Sequence, residues 1–372
     1  MAGMPLRKAG SAHGKSPCSG RSRSANTPLT ISNREIPMNT LCLTLFAALG
    51  ALGAQAAEIR IVATTTDLAD IARAVAGTLA EVSCITTGRE DPHTLTARPS
   101  FIVRARDADV WIRVGMELEI GWEPVILRDA RNPRIAEGAP GHIDAAAHVI
   151  RLEVPTTRVT RDMGDVHPSG NPHYWLDPLN GRLVAATIAE RLSTLYPAHQ
   201  TAFAKNLKTF SDALDTRMFG AAWVGEIGGE ALWKAVAENR LEPLLAARGL
   251  EAQAGGWYAA LRPHRGKTVV TYHRSWPYLA ARFGLLSDLQ LEPKPGIPPT
   301  AKHLATVVEA ARARQARVIL QEPFFTRKAA EFVAARTEAV VVSLPMMTGG
   351  SPEASTYLDM LDTVITNLSR SL

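Results

Sequence analysis

The sequence predicts an α/β protein of two lobes, each built on a mostly parallel sheet, joined by a long rigid connector helix. Three observations carry that expectation. Short runs rich in β-branched residues alternate with helical stretches of about ten residues, over 57–182 and again over 258–372, as βαβ units do. Between these halves, in 183–257, Phe203, Leu207, Phe210, Leu214 and Met218 recur at three- and four-residue steps, the core stripe of one long helix. Candidate ligand side chains also follow strand ends in both halves, where open parallel sheets bind their ligands.

In chain order, 58–64 reads as a buried strand and Thr65-Thr66-Asp67 as the cap of a helix over 68–79. Glu81–Thr87 is a second strand, and Gly88–His93 the loop beyond its carboxyl end. Pro99-Ser100 opens a helix to Ala108, and Asp109–Gly115 is a third strand. A strand is expected over 147–153, then a polar loop over 160–172, then helices from Pro178 to Leu195 and from Pro197 onward. Residues 219–257 are rich in Gly, Ala and Trp, with two short helices expected around Leu232 to Ala247. Alternation resumes with strand 268–273, helices to Phe283 and over 301–316, strand 317–322 and helix 326–336. Strand 338–344 and helix 351–368 close the chain.

Composition bounds the function. With 46% apolar and 21% charged residues, the 372-residue chain can bury a sizeable core. The net charge of +5 comes from the first 38 residues, where Arg7, Lys8, Lys15, Arg21, Arg23 and Arg34 face the single acid Glu35. The remainder is close to neutral, which argues against nucleic-acid binding. Residues 1–56 read as an N-terminal extension and signal peptide: an apolar run from Met38 closes on Ala54-Gln55-Ala56, a small-x-small cleavage pattern. Met38 is the expected true start, and the run is too short and too rich in Gly and Ala for a permanent membrane helix. Cys18 and Cys42 fall in this segment, so Cys84 alone remains and no internal disulfide is expected.

Four residues share one description, a donor at or just past the end of an apolar strand. They are His93 in Asp91-Pro92-His93, His173 in Asn171-Pro172-His173, His273 in Tyr272-His273, and Glu322. A lone histidine in any of these places ordinarily serves structure. Three of them, delivered by separate strand ends, suggest one metal gathered in the cleft between lobes. Three imidazoles and a carboxylate make an N₃O shell that suits zinc better than manganese, which takes more oxygen donors. His142, His148 and His303 read as surface or core, His199 as a helix-start residue and His264 as part of a basic turn. His167, six residues before His173, is a candidate for transient metal capture. Asp177 reads as a helix cap or as the carboxylate behind an imidazole. Tyr174, Trp175, Tyr272 and Trp276 are expected to pack around the site.

From about Glu58 to its end the chain resembles the zinc/manganese-binding solute receptors of ABC importers, the cluster A-I family. The resemblance rests on Asp91-Pro92-His93, Pro99-Ser100, Ala108-Asp109, Pro172–Pro178 and Tyr272-His273 leading to Phe283-Gly284-Leu285. It implies two α/β lobes on one rigid helix, and a metal held between them and handed to a membrane permease. By position His93, His173 and His273 match the family's histidine ligands, with His at the third place resembling the zinc members. The family's usual fourth ligand, an Asp after the last strand, has no counterpart in Pro345–Gly350, so Glu322 is the expected fourth ligand, with water as its competitor. The His-rich loop of many zinc members is reduced to His167, and 219–257 looks like an insertion. The expected function is a periplasmic, monomeric, non-enzymatic receptor that passes zinc to an ABC transporter permease. Its rivals are a secreted zinc hydrolase, against which no H-E-x-x-H motif is found, and a receptor for a chelated metal or siderophore.

Overall fold

Apart from the exposed Arg60, Ile59–Ala63 (β1) is apolar and buried, with Val62 on one face and Ile59, Ile61 and Ala63 on the other, as a strand covered by helices on each side must be. In the computed structural model, which describes residues 59–160 and 163–372, it pairs in parallel with Ala80–Cys84 (β2) and Val110–Arg113 (β3). His142–Asp144 (β4) adds to β3, giving the order β2-β1-β3-β4. The second lobe repeats this arrangement with Thr268–Thr271 (β5), Leu286–Gln290 (β6), Val318–Gln321 (β7) and Val340–Ser343 (β8) in the order β6-β5-β7-β8. All pairings are parallel. In each sheet the chain moves to one side of the first strand and then to the other, and this change of direction opens a crevice at the strands' carboxyl ends.

The helices of the first lobe are Thr66–Ala76 (α1), Pro99–Asp107 (α2), Glu123–Ala130 (α3) and Pro178–Leu195 (α4). Gln200–Phe219 (α5) is the expected long helix, and Phe203, Phe210, Leu214 and Met218 of its stripe are buried. Residues 221–261 hold Ala221–Ile227 (α6), Gly229–Ala237 (α7), Leu241–Arg248 (α8) and Gly256–Leu261 (α9), of which α7 and α8 are the two expected around Leu232 to Ala247. Pro277–Phe283 (α10), Ala301–Ala313 (α11), Lys328–Ala334 (α12) and Tyr357–Ser371 (α13) complete the second lobe. The signal peptide and start at Met38 lie outside the described residues. No described helix is long and apolar enough to cross a membrane.

Two expectations are corrected. No strand forms over 147–153. There the backbone bonds to side chains: Ile150 N donates to Asn180 Oδ1 at 2.8 Å and Leu152 N to Tyr278 Oη at 2.9 Å. The apolar residues of this segment satisfied the strand pattern, but its polar backbone groups found partners outside any ladder. The second correction is that the sequence reading passed over α3 and β4, between β3 and α4, and β6, which follows α10.

The lobes are bound into one body. A single buried apolar cluster contains Ile61, Tyr174, Phe203, Trp257, Val318 and Leu361, and so runs through both. Polar pins cross it. Asp67 accepts from Thr348 N and Oγ1, each at 2.9 Å, and Tyr357 Oη donates to Trp175 O at 2.7 Å. Arg282 grips Asp177 through two bonds of 2.7 Å. At Gly181 a Cβ would lie 2.1 Å from Tyr357 Oη, so only glycine lets α4 approach α13 this closely. Trp233 of α7 lies under Arg282, 5.6 Å from guanidinium carbon to ring centroid, and thus backs the pin from the inserted segment. Such a joint favours small adjustments over wide hinge closure.

Candidate metal centre

His93 and His173 are built by the same device. In Asp91-Pro92-His93 the aspartate caps a one-turn 3₁₀ helix (Pro92–Thr94), with proline as its first residue. Asp91 Oδ1 accepts both His93 N at 2.9 Å and His93 Nδ1 at 2.9 Å. In Asn171-Pro172-His173, Asn171 Oδ1 likewise accepts His173 N at 3.0 Å and Nδ1 at 2.9 Å. The Asn171 amide orientation follows from its other end, where Nδ2 donates to Glu153 Oε2 at 2.9 Å and Arg274 O at 2.7 Å. An acceptor at Nδ1 puts the proton there, so Nε2 carries the lone pair in both rings.

His273 is oriented differently. It lies two residues beyond β5, and Glu292 lies two residues beyond β6; continuing the Thr271–Gln290 register brings them side by side. His273 Nδ1 meets Glu292 Oε2 at 2.7 Å, and Gly296 N holds the same oxygen at 3.0 Å. A third imidazole therefore also turns its Nε2 away from a fixed acceptor.

The three rings converge. Their donor atoms lie within 4.8 Å of one another, and ring centroids are 5.1 Å apart for His93–His173, 5.6 Å for His93–His273 and 5.5 Å for His173–His273. Nε2 of His93 and His173 is buried with no hydrogen-bond partner. An unpaired buried acceptor costs about 1–3 kcal/mol, which a bound cation removes. Burial, reinforced by the neighbouring histidines, pushes His173 well below the ordinary imidazole range, so it stays neutral and able to ligate. For His273 burial acts in the same direction, but the hydrogen bond and charge of Glu292 outweigh it and raise the imidazole. Burial also opposes the charge of Asp91, yet His93 holds that carboxyl below its usual range.

Glu322 is not drawn into this group. Its register position beside His273 is as expected, since Thr271 pairs with Leu320. The carboxylate is fully buried, however, and Oε1 accepts from Trp276 Nε1 at 3.0 Å. Burial raises its pKa to about 7, with the charge of His273 opposing. Asp177 caps α4 by accepting Leu179 N at 2.9 Å, and it pairs with Arg282 instead of an imidazole. His142 is buried with Nε2 at 3.4 Å from Glu123 Oε1, and His303 Nε2 meets Gln290 O at 3.0 Å. Neither joins the cluster. Trp175 packs on His173 with centroids 5.4 Å apart, and Tyr272 stacks on Phe325 at 4.2 Å beside His273.

Sequence reasoning missed Glu292 and Asp165. Glu292 was hidden because β6 was not recognised, although the apolar spacing of Leu286, Leu289 and Leu291 after Gly284 was a usable signal. Asp165 lies in an exposed loop that carries no pattern. A cavity of about 380 Å³ opens over the cluster, lined by Asp165, His167, His173, His273, Arg274 and Pro295 among others.

The family model described as zinc-uptake complex component A, periplasmic, matches residues 61–218 and 247–371. Residues 219–246, within the segment read as an insertion, lie outside the match. Among curated relatives, the manganese ABC transporter substrate-binding lipoprotein PsaA of Streptococcus pneumoniae is 28% identical over 159 residues, 42% of this chain and 48% of that protein. The high-affinity zinc uptake system protein ZnuA of Brucella abortus is 26% identical over 200 residues, 54% and 48% respectively. The chain thus spans about half the length of the curated relatives it matches. A crystal structure of ZnuA superposes with TM-score 0.61 at 20% identity, covering 84% of this chain and 98% of the other. The laminin-binding protein Lmb of Streptococcus agalactiae does so with TM-score 0.61 at 21% identity, covering 84% and 99%. The chain belongs to the periplasmic zinc-uptake component A family, whose members are substrate-binding receptors.

Proposed function

We propose that this receptor captures zinc outside the cytoplasm and delivers it to the permease of an ABC importer. The ion would be held by Nε2 of His93, His173 and His273. One observation carries the reading: separate loops converge three imidazoles whose Nδ1 atoms are already engaged, leaving the Nε2 lone pairs of His93 and His173 buried and unpartnered. An all-nitrogen trio favours zinc over manganese. Glu322, whose Oε1 accepts from Trp276 while Oε2 stays buried and unpartnered, lies outside the trio of converging donors; it is assigned a supporting role beside His273, and the fourth position goes to water. The named metals of the relatives, manganese for PsaA and zinc for ZnuA, bracket the choice.

The test is a titration of the protein with zinc and manganese in competition. One equivalent of zinc should bind in preference to manganese, and His173→Gln should weaken zinc at least about 100-fold through loss of a direct ligand. Glu322→Gln, which preserves the acceptor for Trp276, should change affinity only a few-fold. Absence of stoichiometric zinc binding by the wild type would overturn the reading.

A further inference from the structure

The turns that hold His93 and His173 differ in one respect. Asp91 presents a carboxylate, and either of its oxygens can accept from the ring. Asn171 presents an amide, and only one of its two ends is an acceptor. Turned over, it would offer Nδ2 to the imidazole, and the ring proton would move to Nε2, the atom aimed into the cluster. Asn171 is buried, so its orientation is left to protein partners.

Those partners come from other segments. Nδ2 donates to Glu153 Oε2 at 2.9 Å and to Arg274 O at 2.7 Å. Glu153 Oε1 accepts from Arg274 Nε at 2.9 Å. Arg274 adjoins His273, so one carboxylate reaches a neighbour of a candidate ligand in each lobe. Backbone bonds bring it there: Asn171 N donates to Leu152 O at 2.9 Å, and Tyr278 Oη donates to Asn171 O at 2.7 Å while accepting from Leu152 N. Glu153 itself has a φ of 56°, a left-handed conformation that is costly outside glycine. Its ion pair with Arg274 is partly exposed, 26% and 47% respectively, and such pairs add little stability. Stability therefore does not account for a strained residue in a weak ion pair.

We infer that Glu153 is a positioning residue of the metal site: by holding Asn171 Nδ2 it fixes the amide, and through the amide the lone pair on His173 Nε2. The inference rests on the proposed metal-binding function. Glu153 does not touch the ion. Because it grips Asn171 of the first lobe and Arg274 of the second together, the His173 donor is set only when the lobes are docked. The Asp91 turn needs no such partner, since its carboxylate has no wrong end.

The test is zinc affinity, measured by competition with a chromogenic chelator, on wild type, Glu153→Gly, Asn171→Asp and the double variant. Glycine removes the carboxylate and suits the left-handed backbone. Glu153→Gly should therefore keep its urea-unfolding midpoint and still bind zinc about fivefold more weakly, below the loss usual for removing the imidazole's own partner. Asn171→Asp supplies an acceptor with no wrong end but sets it against the Glu153 carboxylate, and should weaken zinc by a similar factor. In the Glu153→Gly background the same substitution should instead strengthen zinc binding, because the repulsion is gone and the acceptor needs no orienting. This change of sign is the decisive readout, since a merely structural role for Glu153 predicts losses that add. The inference is overturned if Glu153→Gly binds zinc as wild type does, or if Asn171→Asp weakens zinc in both backgrounds. Failure of wild-type protein to bind zinc would instead remove the functional reading itself.

Discussion

The two lobes orient their histidines by different physics. In the first, each imidazole is held by the residue two positions before it, and proline between them fixes the turn. In the second, His273 relies on Glu292 from the neighbouring strand, a partner nineteen positions away brought alongside by sheet register. The local device tolerates either a charged or a neutral acceptor, since Asp91 and Asn171 make the same pair of bonds. The register device places the buried Glu292 carboxylate directly against the His273 imidazole, so charge as well as geometry enters there.

That contrast can be broken at its two acceptors. Glu292→Gln should lower zinc affinity about 10–100-fold, the usual effect of disturbing the partner behind a ligating imidazole. Asp91→Asn should cost only a few-fold, because it converts the first motif into the form that Asn171 already takes. Calorimetric titration of both variants reads the difference, and equal losses would remove the distinction.

The pH dependence of zinc affinity sharpens the same comparison. Protons compete with the ion for Nε2 only where an imidazole becomes charged. His173, pushed down by burial, stays neutral through the range in which His273, raised by Glu292, takes up its proton. Affinity should therefore be full above the raised His273 value and fall as pH drops through it. In Glu292→Gln the fall should move to lower pH, which titrations at stepped pH values would detect.

The pins between lobes provide the stability tests. Arg282→Ala leaves Asp177, whose side chain is 6% exposed, without its bidentate partner and should cost about 3–5 kcal/mol in urea unfolding. Asp67→Asn should have the smallest effect and the opposite sign. Burial raises Asp67 to about 7, above its unfolded value of 3.8. A carboxyl raised on folding favours the native state while protonated, and that contribution is lost as pH rises from about 4 through about 7. Asparagine can still accept from Thr348 without carrying the buried charge, so the variant should gain about 1–2 kcal/mol at pH 8 and little at pH 5.

Much of the fold was legible because parallel strands buried on both faces read as apolar runs, as at Ile59–Ala63 and Val318–Gln321. Where apolar content and hydrogen bonding parted, as over 147–153, the pattern misled. The half-buried β6, with its alternating exposure, was missed for the opposite reason.

By itself the sequence determined the two-lobed alternation, the stripe of α5, and the Asp-Pro-His and Asn-Pro-His turns, because each depends on residues within a turn or two of one another. Tertiary structure alone decided that Glu292 backs His273, that Glu322 turns to Trp276, and that Asp165 and His167 close on His93. Those outcomes depend on which strand ends lie side by side and how the lobes dock. Local periodicity carries no information about either.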